Sequence, residues 1–343
     1  MRISERPAAK KKMPVSENPL AIDSVAYREA VLRVPRNAPY VLEYSRGDQR
    51  VTFFGCHHIK SPDDPQIPVL RSSLEEFLKK VPKEHVLLMI EGMHGDGSLK
   101  VWMQGIETEE QALKKFGEGG AVIWAASKLG LDVTSPEASE PDMVQELIRG
   151  GYKREDIALC FVLREFTTRI GRAPNDPRDE KFRHDSLMHF AKDFYHTQEL
   201  TGVGWIKEKR SKKELMAMAK HPAELEAFAA KVVTDFIQQL NQRFQTLPRM
   251  KGRLLVPSME ALLNRDVTQI PIQAINTFFD PAADDQRKAV TNIISARIAF
   301  MRDQYLIKRV AEAAEEKKSI FVLFGKSHAV AIEPALKKYF TAK

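Results

Sequence analysis

Three short apolar runs set the strongest limit on what this chain can build: "VTFF" at 51–54, "VLLMI" at 86–90 and "IFVLF" at 320–324. Each has strand length. None alternates with polar residues, and such a run suits a strand covered by helices on both faces. Between the runs, apolar residues recur at helical spacing. Val69, Leu70, Leu74, Phe77, Leu78 and Val81 form one stripe. Val290, Ile294, Ile298, Met301 and Tyr305 form another, in a helix expected over roughly 285–316. Strands alternating with helices predict an α/β fold with a mainly parallel central sheet flanked by helices.

"YVLEYSRGDQRVTFFG" adds a hairpin, with Tyr40–Tyr44 and Val51–Phe54 flanking a turn at Gly47-Asp48. "EEQALKKFGEGGAVIWAASKLG" reads as helical, interrupted at Gly117, Gly119 and Gly120. Residues from 141 to 205 are mostly helical in pattern, broken at "GRAPNDPRDE". In "AELEAFAAKVVTDFIQQLNQRF", Leu225, Phe228, Val232, Phe236 and Leu240 share a face. No interior linker stands out. The organisation expected is a basic tail over 1–20, then one α/β domain over 21–343 carrying a helix-rich insertion at about 206–285.

The net charge of +7 suggests a nucleic-acid binder until its location is considered. Arg2, Arg6, Lys10, Lys11 and Lys12 stand against Glu5 alone in the first twelve residues, so most of the excess is in the tail. The remainder is nearly balanced, and no nucleic-acid face is expected. No apolar run approaches the ~18 residues of a membrane span, and the tail has no apolar h-region of a secretory signal. Two cysteines, Cys56 and Cys160, make no disulfide framework, so a reducing, cytoplasmic setting is expected.

Chemistry collects where the apolar runs stop. "VTFF" hands over to Gly55, Cys56, His57 and His58, and "VLLMI" to Glu91. "LDVTSP" leads to Glu137, and "IFVLF" to Gly325, Lys326, Ser327 and His328. In an open parallel sheet ligands bind beyond the carboxyl ends of the strands, so these residues would meet in one pocket. Both Gly-x-x-His stretches follow an apolar strand, where a glycine permits a sharp turn and a close backbone approach.

"GCHH", "VLLMIEG", "GLDVTSPEASEP", "RDQYLIKRV" and "GKSH", in that order, resemble the erythromycin esterase/ChaN-like superfamily, which includes the TraB and TIKI families. The resemblance covers roughly 50–140 and 290–335. Cys56-His57 stands where TraB-like chains often have Thr or Glu, and 141–285 falls outside the resemblance. It implies a hydrolase of a small-molecule or peptide substrate, cleaving an amide, ester or lactone, with His58, Glu91, His328, Glu137 and Arg302 as its site. In one version His58, Glu91 and His328 hold a divalent ion (zinc, manganese or cobalt), which lowers the pKa of a bound water. In the other no metal is needed: His58 is the base on water, oriented by Glu91 or Glu137, and His328 with Arg302 stabilises the oxyanion. A haem-binding relative implies a third reading, a non-catalytic pocket with His57 or His58 as axial ligand.

Each residue also has a plainer explanation. Glu91 needs a partner if buried, which an Arg or a helix N-terminus would supply. Glu137 lies in "SPEASEP", an ordinary helix start with Ser135 or Ser139 as cap. Arg302 could pair with Asp303 or Glu312. Cys56 could be a nucleophile activated by a neighbouring histidine.

Overall fold

The apolar runs are strands of one five-stranded sheet in the computed structural model, which describes residues 32–34, 39–57, 62–92, 99–170, 180–206, 214, 217–218, 221–264, 266, 268–283 and 288–341. By its contacts the chain divides into two units, Met1–Glu137 with Asp303–Lys343, and Ala138–Arg302. Each is described by itself.

The first unit holds the sheet, with strands β1 (Tyr40–Arg46), β2 (Gln49–Cys56), β3 (Val86–Ile90), β4 (Asp132–Thr134) and β5 (Ser319–Gly325). Their spatial order is β1-β2-β5-β3-β4. β1 and β2 form the expected hairpin, turning at Gly47 with φ +60°. The other neighbours pair in parallel, so β2, β5, β3 and β4 all end on the same side of the sheet. The fold class is therefore α/β, with a mixed and mostly parallel sheet flanked by helices.

Between β2 and β4 the described residues form the α-helices α1 (Gln66–Lys80), α2 (Leu99–Trp102), α3 (Glu109–Phe116) and α4 (Gly119–Leu129). Side chains alternate across a strand, and the unbroken runs are buried on both faces because both faces are covered. Phe54, Leu88, Ile90, Phe321 and Leu323 pack with Ile67, Leu70, Leu74 and Phe77 of α1 and with Val122, Ile123 and Ala126 of α4. The stripe read from the sequence at 69–81 is buried at Leu70, Leu74, Phe77 and Val81, while Val69 is exposed.

The second unit is helical: α5 (Glu140–Arg149), α6 (Arg154–Ile170), α7 (Glu180–Thr201), α8 (Pro222–Phe244), α9 (Met259–Leu263) and α10 (Ile272–Thr277). One apolar cluster joins α6 to α10, including Phe166, Phe190, Phe236, Phe244, Leu262 and Ile275. The expected face at Leu225, Phe228, Val232, Phe236 and Leu240 is buried in it. The 206–285 segment thus contributes α8, α9 and α10, among its described residues, to a helical unit that spans 138–302.

α11 (Val290–Glu315) carries the division between the units, which falls between Arg302 and Asp303. It ends in a Schellman arrangement in which Lys317, at φ +59°, donates its N–H to the Ala314 carbonyl and Lys318 to that of Ala313. α12 (Lys326–Thr341) starts directly after the last residue of β5, without a loop, and lies against β1 and β2. Among the described residues no helix is long and apolar enough to cross a membrane.

Candidate functional site

The strand ends read from the sequence are neighbours in space. Cys56 pairs with Gly325, Ile90 with Leu323 and Met89 with Thr134. β5 lies between β2 and β3, so the second Gly-x-x-His motif sits at the middle of the edge.

The two glycines do different work, and neither has a positive φ. Gly55 is inside β2 and pairs with Phe324, one position before the partner of Gly325. A Cβ there would lie 2.8 Å from Ala329 Cβ and 2.9 Å from both Lys326 Cα and the Tyr40 carbonyl oxygen. Gly55 therefore serves close packing of the α12 backbone on β2, rather than the turn expected of it. At Gly325 a Cβ would meet only ordinary contacts, 3.4 Å from Glu91 Oε2 and from His328 Cδ2.

That pair of contacts places Glu91 and His328 both beside the one backbone position of Gly325. Gly325 N–H donates to Glu91 Oε2 at 2.6 Å, at the N-terminus of the 16-residue helix α12. The partner that a half-buried Glu91 requires is thus a helix-start amide, favoured by the positive end of the helix dipole. Glu91 itself continues the sheet, its N–H donating to the Leu323 carbonyl at 3.0 Å.

His328 is buried, with its ring edge-on to Phe324 at 4.9 Å between centroids. Its Nδ1 lies 2.5 Å from Oδ1 of Asp303, a carboxylate with no exposed surface. Sequence reading missed Asp303 as a site residue and matched only its neighbour, Arg302. The signal was present: Asp303 stands at i before Leu306, Ile307 and Val310, all buried, so it lies on the apolar face of α11. Tyr305, assigned to that stripe, is only half-buried. Arg302 is half-buried one residue earlier.

Glu137 is half-buried, and its Oε2 accepts from the N–H of Gly92 at 2.6 Å. It fixes the start of the chain leaving β3. Ser135 Oγ accepts from Glu137 N–H at 3.3 Å, while Ser139 caps α5 by accepting from Asp142 N–H at 3.2 Å. Both serines weighed as caps are used, for different purposes.

Cys56 is buried, and its Sγ lies 3.6 Å from the Phe324 carbonyl oxygen and 3.7 Å from Glu118 Oε1. Burial pushes its thiol well above the usual cysteine range, and the negative charges of Glu118 and Glu91 add to the shift. This is the opposite of what a thiolate nucleophile needs. Glu118 was also missed. The glycines around it position it: Gly117 turns at φ +58°, and a Cβ on Gly119 would lie 3.2 Å from Ile90, while at Gly120 one would lie 2.3 Å from the Ala112 carbonyl oxygen. Only a chain with these glycines folds α3 and α4 so tightly together, and the fold brings Glu118 to Cys56.

His57 is exposed and turned to other partners. Its Nε2 lies 3.1 Å from Asp64 Oδ2, and its ring also contacts the amide of buried Gln66. Asp64 Oδ1 accepts from Gln66 N–H at 2.9 Å at the start of α1, and this bond, with the His57 contact, holds its carboxyl below the usual range. His58 lies outside the described residues. Among the described residues no group of three or more His, Cys, Asp or Glu side chains is arranged to hold a metal ion.

No family model matches the chain, and no curated protein and no solved structure is significantly similar to it.

Proposed function

We propose that this chain is a hydrolase of the erythromycin esterase/ChaN-like kind, activating water for attack on an amide, ester or lactone at the carboxyl edge of its sheet. The observation that carries this reading is the buried Asp303–His328 pair at the end of the central strand, beside Glu91. A carboxylate on Nδ1 fixes the tautomer and ring orientation of a histidine, so that Nε2 exchanges the proton with water and Asp303 stabilises the imidazolium that forms. His328 is then the base, a role first given to His58, and Glu91 is the second charged group at the reacting centre. Glu137 holds the backbone next to Glu91 by accepting from the Gly92 N–H.

The same residues suit a divalent ion in part. A histidine backed by a carboxylate on one nitrogen is the usual form of a metal-binding histidine, and Glu91 supplies an oxygen donor. When bound, such an ion would supply a water of lowered pKa.

The test is direct. Full-length protein is assayed against ester, lactone and amide panels, with its metal content determined, beside His328→Ala. Turnover that falls by about a thousandfold or more in the variant is the expected result. Turnover unchanged by His328→Ala overturns the reading.

A further inference from the structure

The acid-free stretch of the second unit has no part in the chemistry above. From Phe236 to Met259 the chain contains no Asp or Glu, yet it carries Arg243, Arg249, Lys251 and Arg253. The last three fall within five residues of a tight coil that follows α8. Leu247 N–H donates to the Phe244 carbonyl, Met250 N–H to that of Leu247, and Arg253 N–H to that of Met250. Phe244, Leu247 and Met250 are buried at this three-residue interval, while Gln245, Thr246, Pro248, Arg249, Lys251, Gly252, Arg253 and Leu254 are exposed.

The coil is held firmly. Beyond it Leu255 and Val256 are buried, and the Asn241 side chain accepts from both of their N–H groups, at 2.7 and 3.3 Å, and donates to the Val256 carbonyl at 3.1 Å. Arg249 sits at φ +67°, a conformation favourable to glycine and unfavourable to arginine. None of Arg249, Lys251 and Arg253 forms an ion pair among the described residues, and none of those residues accounts for three cations there. A strained arginine on a rigid support, with its charge directed to solvent, fits a residue kept for an external anion.

We propose that this loop docks the protein on an anionic lipid surface. Leu254 decides between lipid and nucleic acid. It is 50% exposed beside Arg253, which suits the boundary between headgroups and acyl chains. The exposed loop residues include no aromatic ring on which a base could stack. Each cation near such a surface strengthens attachment several-fold, so loss of all three is expected to weaken it on the order of a hundredfold.

The experiment is sedimentation of full-length protein with vesicles of phosphatidylcholine alone or mixed with phosphatidylserine, at low and physiological salt. Wild type is expected to pellet with the mixed vesicles only, less at the higher salt. The triple variant Arg249→Gln, Lys251→Gln, Arg253→Gln should lose that binding, and Leu254→Asn should lose several-fold. Replacing Arg249 and Arg253 by Lys should retain it, which separates charge from loop shape; circular dichroism checks that each variant is folded. Equal pelleting of wild type and the triple variant would overturn the proposal. So would no pelleting of wild type, or binding to a DNA or RNA duplex with no binding to vesicles.

Discussion

Asp303 Oδ1 lies 2.5 Å from His328 Nδ1, and the carboxylate that holds the histidine is fully buried. A paired carboxylate of this kind acts on orientation and on the stability of the protonated ring. Asp303→Asn keeps the volume but removes the charge, and it is expected to lower kcat by about 10²–10⁴ with little change in KM. Asp303→Ala leaves the buried histidine without its carboxylate and is expected to cost about 3–5 kcal/mol of stability. Steady-state kinetics and urea unfolding of the two variants separate the effects. An unchanged kcat in Asp303→Asn would show that the pair is structural only.

Gly55 and Gly325 look equivalent in sequence and are expected to respond differently to the same change. Gly55→Ala puts a methyl group within 3 Å of two backbone atoms, so α12 must move. Overpacking of this kind costs about 1–3 kcal/mol. Gly325→Ala meets atoms only at 3.4 Å and is expected to cost under about 1 kcal/mol. Because those atoms belong to Glu91 and His328, its effect should appear in turnover instead. Thermal unfolding and activity of the two variants check the contrast, and equal destabilisation would refute it.

The sheet was legible because burial on both faces leaves an unbroken apolar run, and the edge was legible because parallel strands end together. The pairing across that edge was not. Glu91 bonds a helix-start amide, and a backbone N–H has no letter in the sequence. Asp303 carries a letter, but its place on the buried face of α11 follows only once the pitch of that helix past Met301 is known: Ile294, Ile298 and Met301 of the expected stripe are buried, while Tyr305 is half-buried and Leu306 is buried beside it. Gly55 shows the same limit: glycine is visible at 55, but the Ala329 and Lys326 atoms that require it lie some 270 residues away.

Cys56 is expected to behave as a packed neutral side chain. Its pKa is raised by burial first, then by Glu118 and Glu91. The folded state therefore keeps the proton that an unfolded cysteine releases near pH ~8.5. The stability this contributes is present in full below that pH and is lost as pH rises above it. Alkylation by iodoacetamide should stay slow from pH 6 to 9 in the folded protein, at ~10-fold or more below a denatured control. Cys56→Ala should leave turnover within a few-fold. Rapid alkylation at pH 7 that abolishes activity would reinstate the thiolate.

The clamp of two tyrosines on Glu333 gives the clearest alkaline signature. Tyr40 donates its hydroxyl to Glu333 Oε2 at 2.7 Å and Tyr44 donates to Oε1 at 3.3 Å, which ties β1 to the middle of α12. The bond to Glu333, with burial next, pushes the Tyr40 phenol up to about 12, and burial raises that of Tyr44. A raised pKa means that the protonated form is favoured by folding. Its contribution is complete below the unfolded value of about 10 and disappears as pH climbs from 10 to 12. At neutral pH Tyr40→Phe removes one half-buried hydrogen bond to a charged group and is expected to cost about 0.5–1.5 kcal/mol. Near pH 12 the wild type has lost most of that advantage, so the two unfolding curves should converge, and phenolate absorbance should show one late-titrating tyrosine fewer in the variant. A gap between wild type and Tyr40→Phe that stays constant from pH 8 to 12 would mean that Glu333 is not what holds the phenol.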